Sequence, residues 1–267
     1  MQRLPAIALS VAISLVLATA AWTQTQPSPG FTQIVTTTVK GSAVADYEDY
    51  LKKLAAARDK IGLRAPARST VYTYRMGGPS FTYLVVSPFA NWAEIDSWTP
   101  PAEVLTKAYG ELEGGKILKM MRSAVESQTI EVFRVSPELS RNLAAAPPPY
   151  AFAVMNRIEL QPGTGQAYNM ALTKIKAATE KAGNFPPQLV ATVIHGATPT
   201  YIQVTPFTKW ADRDATQNAA EALDKMYGEN ERRAIMETPG KLTKSRQSFV
   251  IMQRADLSWT RKSPTTD

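Results

Sequence analysis

The sequence contains no cysteine. That excludes disulfides, thiolate nucleophiles, thiolate metal sites and a lipidated N-terminal cysteine. It contains one histidine, His195, which excludes multi-histidine metal centres and with them nearly every metallohydrolase. Beyond the N-terminal segment no apolar run is long enough to span a bilayer. Neither sign of charge dominates: 30 basic against 23 acidic side chains leave a moderate +7. What is present is 44% hydrophobic and 20% charged, the composition of a folded chain. Its 267 residues suffice for two ordinary domains.

Residues 1–20 read as a secretory signal peptide. Arg3 precedes an uncharged run from Leu4 to Ala21, and Ala18-Thr19-Ala20 supplies a small-x-small cleavage pattern. The run also sits at the lower edge of a membrane span, so a retained anchor is the competing reading. Cleavage after Ala20 predicts an exported chain, periplasmic or secreted, with no membrane attachment. Residues 21–30 are then a flexible leader.

The chain matches itself when shifted by 118 residues. Ser87-Pro88-Phe89-Ala90-Asn91-Trp92-Ala93-Glu94 meets Thr205-Pro206-Phe207-Thr208-Lys209-Trp210-Ala211-Asp212. Leu105 to Glu111 meets Leu223 to Glu229, and Pro137-Glu138-Leu139-Ser140 meets Ala255-Asp256-Leu257-Ser258. Between positions 82 and 117 there are 17 identities in 36, where chance gives roughly 6%. No gap is needed from Tyr50/Tyr168 onward. A period this long indicates duplication of a whole domain rather than a solenoid. The division is a first domain at 31–136, a linker at 137–149, a second domain at 150–258 and a loose tail at 259–267. Pro147-Pro148-Pro149 stiffens the end of the linker.

Each copy reads strand, helix, strand, strand, helix, strand. In the first, Gln33 to Val39 is β-branched, and Ser42 is placed to cap a helix to about Ile61. Thr70–Met76 and Ser80–Val86 flank the turn signal Gly77-Gly78-Pro79. A helix from Pro101 to about Ala124 is expected to break at Gly114-Gly115, and Thr129–Val135 closes the unit. The second copy repeats this with a strand at 151–159, a helix at 166–182 and a hairpin at 189–204 around His195. A helix at about 215–237 and a strand at 247–253 complete it.

A βαββαβ order gives a four-stranded antiparallel sheet with helices on one face and a bare apolar face. Two copies can bury those faces against each other. The fold class is therefore α+β: two tandem ferredoxin-like βαββαβ domains packed sheet to sheet as an intramolecular α+β barrel, monomeric because both halves are on one chain. The order resembles the dimeric α+β barrel superfamily. Trp92 and Trp210, just after the third strand of each copy, resemble the motif of its antibiotic-biosynthesis monooxygenase-like branch. In that branch a histidine commonly follows the tryptophan by about ten residues. Here Pro101, Ala102 and Glu103, and Ala219, Ala220 and Glu221, stand there instead, which argues against haem ligation on the family pattern.

The candidate site residues are Trp92, Tyr72, Tyr74, Tyr83, Tyr109 and Glu111. Trp92 is either an aromatic wall for an apolar ligand or a plug at the sheet corner. Tyr72, Tyr74 and Tyr83 are opposed by Val190, Thr192 and Tyr201, so the aromatic-rich first copy is the better place for a pocket. Tyr109/Glu111 recurs as Tyr227/Glu229. A carboxylate there could serve as a general base, but helical i and i+2 positions point to different faces, which favours a packed tyrosine and a solvated glutamate. Catalysis by His195, matched to Gly77, lacks a visible partner, so a surface turn residue is expected.

Gly163-Thr164-Gly165 lacks the third glycine of a dinucleotide fingerprint. Asp212-x-Asp214 begins like a calcium loop but lacks its glycine and final glutamate. No metal and no cofactor are expected. The basic stretch at Arg232, Arg233, Lys241, Lys244 and Arg246 is diluted by Glu231 and Glu237 and reads as a solvated face, so no nucleic acid is expected. The leading function is non-catalytic binding of a small, partly apolar molecule or of a protein partner. The alternative is a cofactor-independent monooxygenase or isomerase.

Overall fold

Threonine and valine, stiff at χ1 and favourable on a pleated surface, build the first strand, β1 (Phe31–Val39). The computed structural model describes residues 30–142, 150–183, 185–196, 199–214 and 218–262. The expected signal peptide, its cleavage site, nearly all of the leader and the proline run of the linker lie outside them. After β1 come α1 (Val44–Lys60), β2 (Arg68–Met76), β3 (Thr82–Phe89), the short α2 (Trp92–Asp96), α3 (Pro101–Ala124) and β4 (Val125–Val135). The second half follows with β5 (Phe152–Leu160), α4 (Gly165–Ala182), β6 (Leu189–His195) and β7 (Thr200–Phe207). Then come α5 (Ala211–Asp214), α6 (Ala219–Tyr227), α7 (Glu229–Leu242) and β8 (Thr243–Gln253), with β9 (Trp259–Thr260) last.

Eight strands close into one antiparallel barrel in the order β3-β1-β4-β6-β7-β5-β8-β2, with β2 pairing back onto β3. Each half leaves two strand edges with unpaired backbone groups. Two seams satisfy them: β4 pairs with β6, Phe133 opposite Val193, and β2 pairs with β8, Tyr74 opposite Ile251. The halves are thus hydrogen-bonded edge to edge into one closed barrel. Inside the barrel, Leu84, Phe133, Met155, Ile202, Phe249 and Ile251 from both halves form one apolar core. Outside, α1 and α3 cover the first half through Tyr47, Leu51, Leu54, Leu105 and Ile117. On the second half Tyr168, Leu172, Ile158, Val190 and Tyr201 pack together, and α4 also meets α6 and α7.

Four local expectations need correction. Ser42 does not cap α1; it lies in the 3₁₀ turn Gly41–Ala43, and the α1 N-terminus has no side-chain cap. The α3 helix breaks at Gly110, not at Gly114-Gly115: Gly110 has φ 83° and ψ 167°, and Gly228 repeats it with φ 82° and ψ 165°. Such a conformation is essentially reserved for glycine. The double glycine is instead helical, and Gly114 lies so close to the backbone of Leu105 that a Cβ would meet it at 2.9 Å. The gap-free match also fails. Val86 and Val204 keep the shift of 118, but their partners Thr70 and Leu189 are 119 apart. By register Tyr72 therefore matches Ala191, Tyr74 matches Val193, and His195 matches Met76 rather than Gly77.

The last correction concerns the tail. Trp259 is 5% exposed and pairs with Ser69 at the start of β2, so this part of the tail is not loose. The segments after β4 and β8 cross over and dock on the opposite half. Leu139 enters the second half's core and Leu257 the first half's. Ser140 Oγ donates to Ser136 O and accepts from Val190 N–H at 2.9 Å. Ser258 Oγ does the same between Arg254 O and Val71 N–H, again at 2.9 Å.

Candidate functional site

The alternation of β2 sends Tyr72 and Tyr74 into the barrel, where both pack on its apolar core. Tyr74 lies 4.9 Å from the ring of Phe249. Burial raises the hydroxyl pKa of both. Tyr83 faces the other way, beneath α1, with its ring 5.0 Å from Tyr47 and its hydroxyl donating to Glu48 Oε1 at 2.8 Å. Burial, and then acceptance by Glu48, push its pKa up. Tyr109 sits on the outer helix layer and donates to Lys53 O at 3.1 Å. Glu111, just past the Gly110 break, is exposed. The argument from helical i and i+2 positions does not apply, because the helix ends between the two residues.

Trp92 is 46% exposed and lies flat on Phe31, ring centroids 4.0 Å apart, with His195 edge-on at 5.6 Å. Trp210 is 45% exposed and stacks on Phe152 at 3.9 Å. Neither is a buried corner plug. The six candidates are spread over the barrel interior, the sheet–helix layer and the outer surface, and the structure does not bring them into one pocket.

The polar group inside the barrel is one that sequence reasoning missed. Glu131 of β4 shares a face with Phe133, and Arg157 of β5 shares one with Met155. Arg157 grips Glu131 with two bonds, 2.8 and 2.7 Å, across the boundary between the halves. The two bonds commit both oxygens of the carboxylate to the guanidinium. The contact with Glu131 raises the pKa of Arg157. Among the described residues no three His, Asp or Glu side chains gather in a way that could hold a metal ion.

A cleft of about 300 Å³ opens on the outer face of the second half, lined by Arg141, Val154, Pro186, Thr205, Phe207 and Arg213. Val154 and Thr205 face each other across β5 and β7 and give it a floor. Arg141, from the crossing segment, is 8% exposed; its Nε donates to Pro186 O at 3.0 Å and its Nη1 to Gln188 Oε1 at 3.2 Å. The Gln188 amide nitrogen donates onward to Thr205 at 3.3 Å. Arg213 arrives from α5, one helical turn after Trp210. A narrower gap of about 190 Å³ lies between α4 and α6, lined by alanines, Lys181, Lys225 and Met226. Both of these openings lie in the second half. One signal for the cleft was in the sequence: Arg213 replaces Ile95 in the repeat, and departures from a repeat mark where its halves differ in chemistry.

No protein-family model and no curated protein matches the chain. Solved structures are similar to it. An anthrone oxidase-like protein superposes with a TM-score of 0.55 over 87% of this chain and 94% of its own, at 12% identity. A monooxygenase-like protein of Fusobacterium nucleatum gives 0.52 over 85% and 93%, at 8% identity. One of Lactobacillus acidophilus gives 0.51 over 90% and 100%, at 12% identity. At these identities the likeness is one of fold. These neighbours belong to the dimeric α+β barrel superfamily, and the closed eight-stranded barrel is the architecture shared with them.

Proposed function

We propose that the chain is an exported, monomeric, non-catalytic binding protein for a small, partly apolar molecule. Its scaffold is a tandem duplication of a ferredoxin-like unit of the antibiotic-biosynthesis monooxygenase-like branch. The repeat of 17 identities in 36 residues and the paired breaks at Gly110 and Gly228 support the duplication. Having both halves on one chain supports the monomer, and residues 1–20 support export. The observation that carries the binding reading is the contrast between the barrel core and the outer cleft. The barrel core is apolar, its carboxylate is held by Arg157, and burial raises the pKa of its tyrosines. The cleft beside Arg141 is open and apolar-walled, as small-molecule sites generally are.

The second reading, a cofactor-independent oxygenase or isomerase, draws on the likeness in fold to an anthrone oxidase-like protein and to monooxygenase-like proteins. Such chemistry needs a group able to take a proton from the substrate, and the interior offers no carboxylate free of a cation partner among the described residues.

Native mass spectrometry of the secreted protein, purified without denaturation, tests the proposal. The expected spectrum shows a mature chain beginning at Ala21, one copy per particle, carrying a removable mass of a few hundred daltons or taking one up from its host's culture medium. Incubation with an anthrone in air is the opposing arm. Consumption above that of heat-denatured protein would overturn the non-catalytic reading.

A further inference from the structure

The outer cleft of the second half carries two positive charges and no negative one. Arg141 and Arg213 both line it, and the other four lining residues are Val154, Pro186, Thr205 and Phe207. Two of the five N–H groups of Arg141 are committed, to Pro186 O and Gln188 Oε1. Among the described residues neither guanidinium has a carboxylate within ion-pair distance. Glu180 acts on Arg141 only by charge at longer range, and its own partner is Lys176 at 3.9 Å. Asp212, next to Arg213, turns back to Thr208 and Lys209. A buried charge is costly unless it is paired, and burial lowers the pKa of Arg141 accordingly.

The first half shows what the same place looks like without this chemistry. Trp259 occupies the position of Arg141: it bridges Ser69 as Arg141 bridges Gln188. Ile95 stands in the repeat position of Arg213. Ser69 and Ser87 satisfy each other at 2.9 Å, where the second half has Gln188 and Thr205. Both charges are therefore specific to one half. Gln188 fixes the Arg141 fork from one side and is itself held by Thr205, which leaves the remaining N–H groups oriented beforehand.

From this arrangement we infer that the cleft binds a small organic carboxylate, its carboxylate on the Arg141 and Arg213 guanidinium groups and its apolar body against Val154, Pro186 and Phe207. The inference rests on the binding reading above and narrows it to a ligand class. A planar carboxylate matches the arginine fork. The cleft volume suits a body of several carbons, at the small end of ligand pockets.

Calorimetric titration of the intact mature protein with octanoate, hexanoate, octanamide and inorganic phosphate tests it, with two-dimensional NMR locating the site. Octanoate is expected to bind in the millimolar range or below and to shift the amides of Thr205, Phe207 and Arg213. It should bind about tenfold or more better than octanamide, and hexanoate should be weaker by about fourfold for each methylene lost. Arg213→Gln, at an exposed position, should weaken octanoate severalfold without changing the melting temperature. Arg141→Gln should weaken it further. Because Arg141 also ties the crossing segment down, the Arg213 variant decides the matter if the Arg141 variant unfolds. Equal binding of octanoate and octanamide, unmoved by Arg213→Gln, would overturn the carboxylate assignment and leave the binding reading standing. Phosphate binding as tightly as octanoate would overturn the apolar half of it. No saturable shift at the cleft with any of the four would overturn the site itself, while ligand carried on the native protein would still support binding elsewhere.

Discussion

At the scale of single residues, tryptophan divides by burial. Trp92 and Trp210 each stack one face on a strand phenylalanine and leave nearly half their surface in water. Trp259 is enclosed, and its Nε1 donates to Asp59 at 2.7 Å. Denaturant melts should find Trp92→Ala and Trp210→Ala similar to each other, at about 1–2 kcal/mol, an aromatic pair with partial burial. Trp259→Ala should cost about 3–5 kcal/mol, the range for deleting a buried large aromatic. Nothing in the sequence separated these three. The repeat drew attention to Trp92 and Trp210, whereas Trp259 stood in a stretch read as loose because its partner, β2, is nearly two hundred residues away.

Charge also matters at this scale. Arg254 grips Glu48 at 2.6 and 3.0 Å and Asp256 at 2.9 and 2.8 Å, joining α1 to the segment after β8. The hydrogen bond from Arg254 lowers the pKa of Glu48 and of Asp256. A carboxylate with a depressed folded pKa stabilises the fold above its unfolded pKa, near 4.3 for glutamate, and loses that contribution as pH falls through the folded value. Glu48→Gln should therefore cost about 2 kcal/mol at pH 7. The gap to wild type should close as the pH falls from about 5 to 2. A gap independent of pH in urea melts would mean that Glu48 acts by packing, not by charge.

At the scale of elements, the repeated Tyr-Gly-Glu is a helix break used twice. The residues were legible as a repeat, but the break was placed at Gly114-Gly115, because a double glycine reads as the stronger interruption. Space decides otherwise. Gly114 is needed where the two arms of α3 meet at Leu105, while Gly115 has nothing within 4 Å. Thermal melts should show Gly110→Ala and Gly228→Ala each losing about 1–3 kcal/mol, the cost of forcing a side chain into that backbone region. Gly115→Ala should gain about 0.5–1 kcal/mol, because alanine is the better helix former and nothing obstructs it. The strands were the most legible elements, since alternation and β-branching mark them directly. The one-residue slip between β2 and β6 was not legible, because it is visible only in the pairing registers.

At the scale of the whole molecule, the element order was enough to anticipate a barrel. The manner of closure was not, because edge pairing and the crossing of the segments after β4 and β8 are long-range choices with no local signal. The site shows the same limit. The aromatic residues that stand out in the sequence are divided among the barrel core, the helix layer and the outer surface. The arginines that line the cleft are inconspicuous until Gln188, Pro186 and Phe207 are brought beside them. The molecule is a single barrel, closed within one chain by the β2–β8 and β4–β6 seams. Native-state hydrogen exchange tests it most directly. Seam amides in 68–76, 125–135, 189–195 and 243–253 should exchange only through global unfolding, with the same free energy and denaturant dependence as the amides of β1 and β5. Seam amides that open well below the global free energy, while each half stays protected, would show two independent domains and contradict the barrel.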